Sequence, residues 1–120
     1  MEHQISDIVQ FFFTLQLNIK MYHWNTTSFS RHKATDEFGE KLLSLIDQFV
    51  EVYIGRHKVK PSPSKININP DYLTDTGSER LLQQSKEYLE RLNIKESDLL
   101  TIRDEIVAEI NQTLYLYQLK

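Results

Sequence analysis

The feature that most restricts the fold of this chain is the recurrence of apolar residues every three or four positions. In the first 22 residues the repeating positions are Ile5, Ile8, Phe12, Leu15, Ile19 and Tyr22. Such steps place the side chains on one face of an α-helix that packs in a bundle. No segment alternates polar and apolar residues with a period of two. The pattern therefore predicts an all-α four-helix bundle.

The first predicted helix has a second apolar face beside this one. Its members are Val9, Phe13, Leu17, Met21 and Trp24. An apolar arc this wide exceeds what one partner helix needs. We therefore expect the helix to be buried on two sides, in part against a second subunit.

Capping residues and prolines divide the rest of the chain into further elements of a single domain, residues 1–120. In chain order, these are a second helix from a cap at Ser28 or Ser30 to about Arg56, a helical turn at "NPDYL" (residues 69–73), a third helix from about Ser78 to about Asn93, and a fourth from about Ser97. The turn is expected because Asn followed by Pro is a typical helix start. It also interrupts an otherwise unusually long connection.

Composition excludes several kinds of site. The chain has no cysteine, which excludes disulfides, zinc–thiolate sites, iron–sulfur clusters and cysteine nucleophiles. Imidazole and carboxylate ligands remain, and these suit iron, manganese or zinc. The stretch "MEHQISDIVQ" lacks the features of a signal peptide, and no apolar run is long enough for a membrane span. These features predict a soluble cytoplasmic protein with no membrane partner.

Two pairs of potential metal ligands lie on the second predicted helix. His32 and Asp36 are four residues apart, as are Asp47 and Glu51. At the helical step of about 100° per residue, all four share one face. Either pair alone is typical of a solvated helix face. Asp36 and Asp47 are about 16 Å apart along the axis, so one ion cannot bind both within a chain.

Antiparallel pairing of this helix with a second copy of itself would bring the two pairs together. With a two-fold axis between residues 41 and 42, the His32 end of one copy meets the Glu51 end of the other, and Gly39 permits close approach. Two identical sites, about 22 Å apart, would form. His23, at the end of the first helix, is a third candidate ligand beside His32.

The residues that carry these ligands match a known family pattern. "MYHWN", H-x-x-x-D and D-x-x-x-E, within residues 21–51, resemble the Dps mini-ferritins, and the short chain is similar to the Dps-like proteins of phages and large viruses. The resemblance implies a ferritin-like bundle with a short helix between its second and third helices. It also implies a ferroxidase that oxidises Fe(II) with hydrogen peroxide or dioxygen, for iron storage and protection from oxidative damage. The implied iron ligands are His23, His32 and Asp36 from one subunit with Asp47 and Glu51 from its partner, and Trp24 is the implied adjacent redox residue.

The resemblance also predicts what the protein binds. Iron is the implied metal, with zinc or manganese as substitutes, and the implied assembly is a homo-oligomer built from two-fold dimers, up to a dodecameric shell. A viral origin would place it in the host cytoplasm. The chain lacks the family's Gly-Pro between His23 and His32, and it lacks the lysine-rich N-terminal tail of DNA-binding members. With a net charge of −3, we expect no nucleic-acid binding.

Alternative functions remain open on these residues. A di-iron site within one chain needs Glu-x-x-His on two helices, and the chain has no such motif. We therefore interpret Glu105 and Glu109 as surface charges. A non-catalytic structural or adaptor bundle that dimerises through the second helix is the main alternative. Its acidic stripe would be exposed or paired with Arg31 or Lys33. A family member that keeps the fold but has lost turnover is a further alternative.

Overall fold

The computed structural model describes residues 2–119 and is helical throughout its regular structure. The elements are α1 (Glu2–Asn25), α2 (Phe29–His57), a 3-10 helix (Pro70–Leu73), α3 (Asp75–Glu90) and α4 (Ser97–Tyr117). Residues 2–119 contain no β-strand. The prediction of an all-α chain with four helices is confirmed.

The four helices enclose one core in a square arrangement. Helix α1 packs against α2 and α3, and α4 packs against the same two helices. The six predicted seam residues of α1 are all buried, at 0–2% exposure. They meet the buried stripe of α2, which includes Phe38, Leu42, Phe49 and Tyr53. The apolar residues at this three-and-four spacing thus form the core, because the spacing places them on the face of each helix that points inward.

Contacts at the two ends of the bundle fix the direction of each helix. At one end, Gln4 near the start of α1 contacts Asn93, which follows the end of α3. At the same end, Arg56 near the end of α2 contacts Asp98 near the start of α4. At the other end, Arg31 near the start of α2 is hydrogen-bonded to the carbonyl of Tyr117 at the end of α4. Helices α1 and α4 therefore run in one direction, and α2 and α3 run in the other. Because α2 and α3 are parallel, the chain between them must return along the full length of the bundle.

This return is made by residues 58–69, here called the crossover segment, which runs along α1. The backbone N–H of Ser62 donates to Oγ of Ser6 at 2.8 Å. Further along, the buried side chain of Asn18 donates to the carbonyl of Asn67 at 2.9 Å and accepts from the backbone N–H of Asn69 at 2.8 Å. The crossover segment has no regular secondary structure, so these side chains of α1 satisfy its backbone groups.

The capping predictions are confirmed for α2 and for the 3-10 helix. The side chain of Ser28 caps α2, and that of Asn69 accepts from the backbone N–H of Asp71. Helix α2 ends at His57, and Lys58 caps it in a left-handed conformation with φ of 59°.

The predicted limits of α3 were wrong by three residues at each end. Helix α3 starts at Asp75 rather than Ser78, because Thr74 caps the N–H of Gly77, and it ends at Glu90 rather than Asn93. Gly77 is needed there, since a Cβ atom would lie 1.8 Å from the carbonyl oxygen of Asp71.

The second apolar face of α1 is not covered by the described part of the chain. Phe13 is 44% exposed, Leu17 43% and Trp24 65%. Burial of α1 on two sides is therefore not achieved within one chain. None of the helices in residues 2–119 is both long and apolar enough to cross a membrane.

Candidate metal centre

Two histidines from different helices meet where α1 ends and α2 begins. His23 lies in the last turn of α1, and His32 lies near the start of α2. The short connection is held by the hydroxyl of Ser28, which accepts a hydrogen bond from the backbone N–H of Arg31 at 3.2 Å. The two imidazole rings stack with centroids 3.9 Å apart and planes 16° apart. One chain therefore brings these two predicted ligands together.

Hydrogen bonds determine which nitrogen of each ring carries the proton. Nδ1 of His32 lies 2.9 Å from the carbonyl oxygen of His23, which can only accept. Nδ1 of His23 lies 2.8 Å from Oγ1 of Thr35, whose own hydroxyl donates to the carbonyl of Arg31. Both Nδ1 atoms are therefore donors, and in the neutral rings both Nε2 atoms keep a lone pair. Metal-binding histidines have this arrangement, in which an oxygen fixes the nitrogen that does not bind the metal.

The electrostatic environment of His23 favours its neutral form. The side chain is only 6% exposed. Burial lowers the pKa of His23 below its usual value of 6.5, and the nearby His32 and Lys20 lower it further. Asp36 raises it, because a carboxylate stabilises the imidazolium. The net lowering leaves the lone pair of Nε2 available near pH 7.

The carboxylates are divided between two regions of α2. Asp36 lies one turn after His32 and is exposed. Asp47 and Glu51 are also exposed, but Asp47 is about 16 Å further along the helix axis than Asp36. Among residues 2–119, no three His, Cys, Asp or Glu side chains form a group that could hold a metal ion. One chain thus presents its predicted carboxylate ligands at two separate places along α2.

An apolar groove of about 840 Å³ lies between α1 and α2 along this face. Its walls include Phe13 of α1, Leu43 and Val50 of α2, and residues 61–64 of the crossover segment, and Asp47 also borders it. Leu43 is 58% exposed. The acidic residues of α2 are therefore interspersed with apolar side chains that the described chain leaves in contact with solvent.

Trp24 follows His23 directly in the chain and projects into solvent. Nζ of Lys20 lies 5.5 Å from the centroid of the indole ring, within the range of a cation–π interaction. The indole is thus exposed beside a buried imidazole, and the ammonium group of Lys20 lies near both.

Two of the other charged residues considered above, Arg31 and Glu109, have partners elsewhere. Arg31 pairs with Glu79 at 2.6 Å, and its guanidinium lies 4.4 Å from the ring centroid of Tyr117. Glu109 is half-buried and lies 3.7 Å from Nζ of Lys41, whereas Glu105 is exposed. Arg31 is therefore engaged with α3 and α4 and does not neutralise the carboxylates of α2.

The sequence interpretation did not include Thr35, whose hydroxyl oxygen accepts a hydrogen bond from Nδ1 of His23. The available signal was a threonine three residues after His32. Threonine in a helix commonly bonds back to the carbonyl four residues earlier, which leaves its oxygen free to accept. The pairing with His23 depends on how α1 packs against α2, and no local pattern gives that.

The fold and this region define an all-helical protein in which four predicted metal ligands lie at two places along α2 and the fifth, His23 of α1, stacks on the first of them. The chain belongs to DUF5856, a family of unknown function, whose model matches residues 23–117. The matched segment contains all five predicted ligands. No curated protein and no solved structure matches the chain.

Proposed function

We propose that this protein is a ferritin-like ferroxidase of the Dps type, which oxidises Fe(II) at two sites between two-fold related subunits. One observation carries the proposal: the stacked His23 and His32 both keep Nε2 free, and they lie at one end of the α2 face that carries Asp36, Asp47 and Glu51. The resemblance of residues 21–51 to the mini-ferritins supports the same conclusion.

The topology of the bundle also supports a ferritin-like fold. Ferritin-like bundles have one long crossover connection, which joins two parallel helices. Here residues 58–69 return along α1 between the parallel helices α2 and α3. Bundles in which every helix is antiparallel to the next use short connections instead.

The second subunit is required because one chain does not assemble a complete ligand set. Antiparallel pairing of α2 with a second copy places Asp47 and Glu51 of that copy near His32 and Asp36. It also covers Leu43 and the apolar groove, which is the kind of surface that a subunit interface buries. Such dimers are the proposed unit of a larger homo-oligomer, up to a twelve-subunit shell that stores iron in the cytoplasm.

Each residue has a role that follows from its chemistry, with Fe(II) as the substrate. His23 and His32 supply Nε2 donors, and the hard carboxylates favour the higher charge of Fe(III). Asp36 and Glu51 are the candidates to bridge towards a second iron. Two Fe(II) ions each lose one electron, and one hydrogen peroxide takes up both electrons with two protons and yields two water molecules. Trp24, which follows His23 directly and is 65% exposed, is the proposed acceptor of an oxidising equivalent.

The first experiment removes the two carboxylates of the second group. Asp47→Ala with Glu51→Ala is expected to lower the initial rate of Fe(II) oxidation at least tenfold, measured by ferric absorbance after addition of peroxide. The matched control is Glu87→Ala with Glu90→Ala, which removes two exposed carboxylates from α3. Wild-type oxidation by the Asp47/Glu51 variant would refute the assignment.

A mixing experiment tests whether the site is shared between subunits. His32→Ala with Asp36→Ala should be as inactive as the Asp47/Glu51 variant. In a heterodimer of the two variants, one of the two sites has both groups intact. Mixing equal amounts should therefore restore about one quarter of the wild-type sites, because about half of the dimers are mixed. Formation of mixed dimers without any recovery would contradict a shared site.

The second candidate function is a metal-free structural or adaptor protein that dimerises through α2. The exposure of Asp36, Asp47 and Glu51, together with the absence of a three-ligand group in residues 2–119, favours it. The two functions differ in how the dimer responds to metal. A shared iron site requires the dimer to become more stable when Fe(II) binds, by mass action. Sedimentation in the presence and absence of Fe(II) under anaerobic conditions separates the two.

A further inference from the structure

Gly39 lies in the middle of α2, where neither the backbone nor the packing within the chain requires a glycine. Its φ angle is not positive, and a Cβ atom built on it would meet no atom within 4 Å. Glycine is less favourable than alanine in a helix interior. Gly55 has equally open surroundings, but it lies in the last turn of α2 rather than in the helix interior. Gly39 therefore lowers the helix propensity of α2 ten residues after its start, and its surroundings in the described chain do not require a glycine.

A depression of about 320 Å³ lies over Gly39, between α1 and α2. Its α2 border includes Asp36, Gly39, Glu40 and Leu43, which are spaced i, i+3, i+4 and i+7. Four residues with this spacing form the hole that receives a side chain of a facing helix in knobs-into-holes packing. Without a side chain at Gly39, the hole is open and the facing backbone can come close.

Leu43 has the position of the matching side chain. It is 58% exposed on the same face of α2. With a two-fold axis between residues 41 and 42, the numbers of two facing residues add up to 83. Leu43 of one copy therefore faces Glu40 of the other. Because Glu40 borders the hole, the side chain of Leu43 enters it. The protruding Leu43 and the hole that receives it thus lie on the same helix, so two copies of α2 are complementary to each other.

Charge favours the antiparallel direction. Lys33 lies near one end of this face, and Asp47 and Glu51 lie at the other. An antiparallel pair brings Lys33 of one copy near Glu51 of the other, and Asp36 faces Asp47. A parallel pair would instead place Asp36, Asp47 and Glu51 each against its own copy, which gives more repulsion and no attraction.

We propose that α2 is the self-association surface, and that Leu43 of each copy seats over Gly39 of the other and so sets the register of the dimer. This inference deepens the proposed function and rests on it for the sharing of metal ligands between copies. It adds the contact that aligns them. A shift by one helical turn would move Asp47 and Glu51 of the second copy by about 5 Å, away from His32 and Asp36.

Gly39→Ala, with Gly55→Ala as the matched control, tests the proposed contact of Leu43 with Gly39 of the other copy. Both substitutions replace a glycine of α2 by a better helix former at a position with open space, so both variants should fold at least as well as wild type. We expect Gly39→Ala to raise the dimer dissociation constant at least tenfold in analytical ultracentrifugation, because its Cβ occupies the place of Leu43. Gly55→Ala should leave the constant unchanged. Equal dissociation constants for Gly39→Ala and wild type would overturn the inference.

Cross-linking tests the register, since the chain has no cysteine. In the proposed dimer, the Leu43 positions are about 4.5 Å apart along the axis, whereas the Val50 positions, on the same face, are about 25 Å apart. Under mild oxidation Leu43→Cys should form a disulfide dimer, and Val50→Cys should not. Equal cross-linking of both, or a wild-type chain that stays monomeric with and without Fe(II), would overturn the inference.

The two proposals fail in different ways. A wild-type dimer that cross-links through position 43 but does not oxidise Fe(II) would refute the ferroxidase and leave the register intact. Iron oxidation that depends on Asp47 and Glu51, in a dimer whose dissociation constant is unchanged by Gly39→Ala, would refute the register and leave the ferroxidase intact.

Discussion

Asn18 holds the crossover segment against α1, and its removal gives a prediction whose size follows from the structure. The side chain is fully buried. Its amide donates to the carbonyls of Thr14 and Asn67, and its oxygen accepts from the backbone N–H of Asn69. Asn18→Ala would therefore remove two long-range hydrogen bonds and one local bond along α1.

The two long-range bonds dominate the expected cost. Each hydrogen bond contributes a net of about 0.5–1.5 kcal/mol, and a buried group left without a partner costs about 1–3 kcal/mol. Asn67 is exposed and Asn69 half-buried, so water can reach the freed groups in part. We expect Asn18→Ala to lower the free energy of unfolding by about 2–3 kcal/mol. For a chain of this length, that corresponds to roughly 10 °C in the midpoint of thermal unfolding.

Asn25→Ala is the matched control for this measurement. Its amide donates to the carbonyl of Met21, as that of Asn18 does to Thr14, but it is exposed and does not contact the crossover segment. The difference in the free energy of unfolding between the two variants, measured in urea, gives the contribution of the long-range hydrogen bonds. In hydrogen-exchange measurements, the Asn69 amide should exchange faster in Asn18→Ala only. If the two variants lost the same stability, or if Asn69 kept its protection, the crossover segment would not depend on Asn18.

Two other predictions concern the same end of the bundle. Arg31→Met should destabilise the chain by about 2 kcal/mol, because it removes a charge-assisted hydrogen bond and the cation–π contact with Tyr117. Glu79→Gln should cost less than about 1 kcal/mol, since Glu79 is 41% exposed, and equal losses in urea unfolding would contradict this account. The metal-free protein should lose stability as the pH falls below about 6.5, because the folded pKa of His23 lies below the unfolded value and the unfolded chain then binds more protons. His23→Gln should reduce this pH dependence of the unfolding free energy between pH 7 and 5, and an unchanged slope would assign it to other groups.

The helices and their core could be predicted from the sequence because both depend on local spacing. The seam of α1 and the caps at Ser28 and Asn69 follow from side-chain chemistry within a few residues, and the structure confirms them. The start of α3 was misplaced because the capping role of Thr74 competes with that of Ser78, and the close approach of Gly77 to Asp71 is a tertiary contact. The course of the crossover segment along α1 also depends on tertiary contacts, such as those of Asn18.

The candidate site shows a similar division between local pattern and tertiary contact. The common face of Asp36, Asp47 and Glu51 follows from helical geometry, and the structure keeps all three exposed. The stacking of His23 on His32 and the hydrogen bond to Thr35 depend on the packing of α1 against α2, which spacing alone does not specify. Whether the two groups meet depends on a second copy, so the described chain leaves that prediction open.

The separation of the ligands along α2 has a consequence for how binding and assembly depend on each other. A single chain offers two imidazoles and Asp36 at one end, and two carboxylates about 16 Å away. Among residues 2–119 no three of these side chains come together as a group that could hold a metal ion, so a separated chain should bind iron weakly. In a dimer each ion contacts both copies, and the free energy of binding then also stabilises the interface. Without the ion, Asp36 and Asp47 of facing copies would repel each other across the same interface. The same carboxylates would therefore weaken the empty dimer and strengthen the loaded one, which makes iron itself a determinant of assembly.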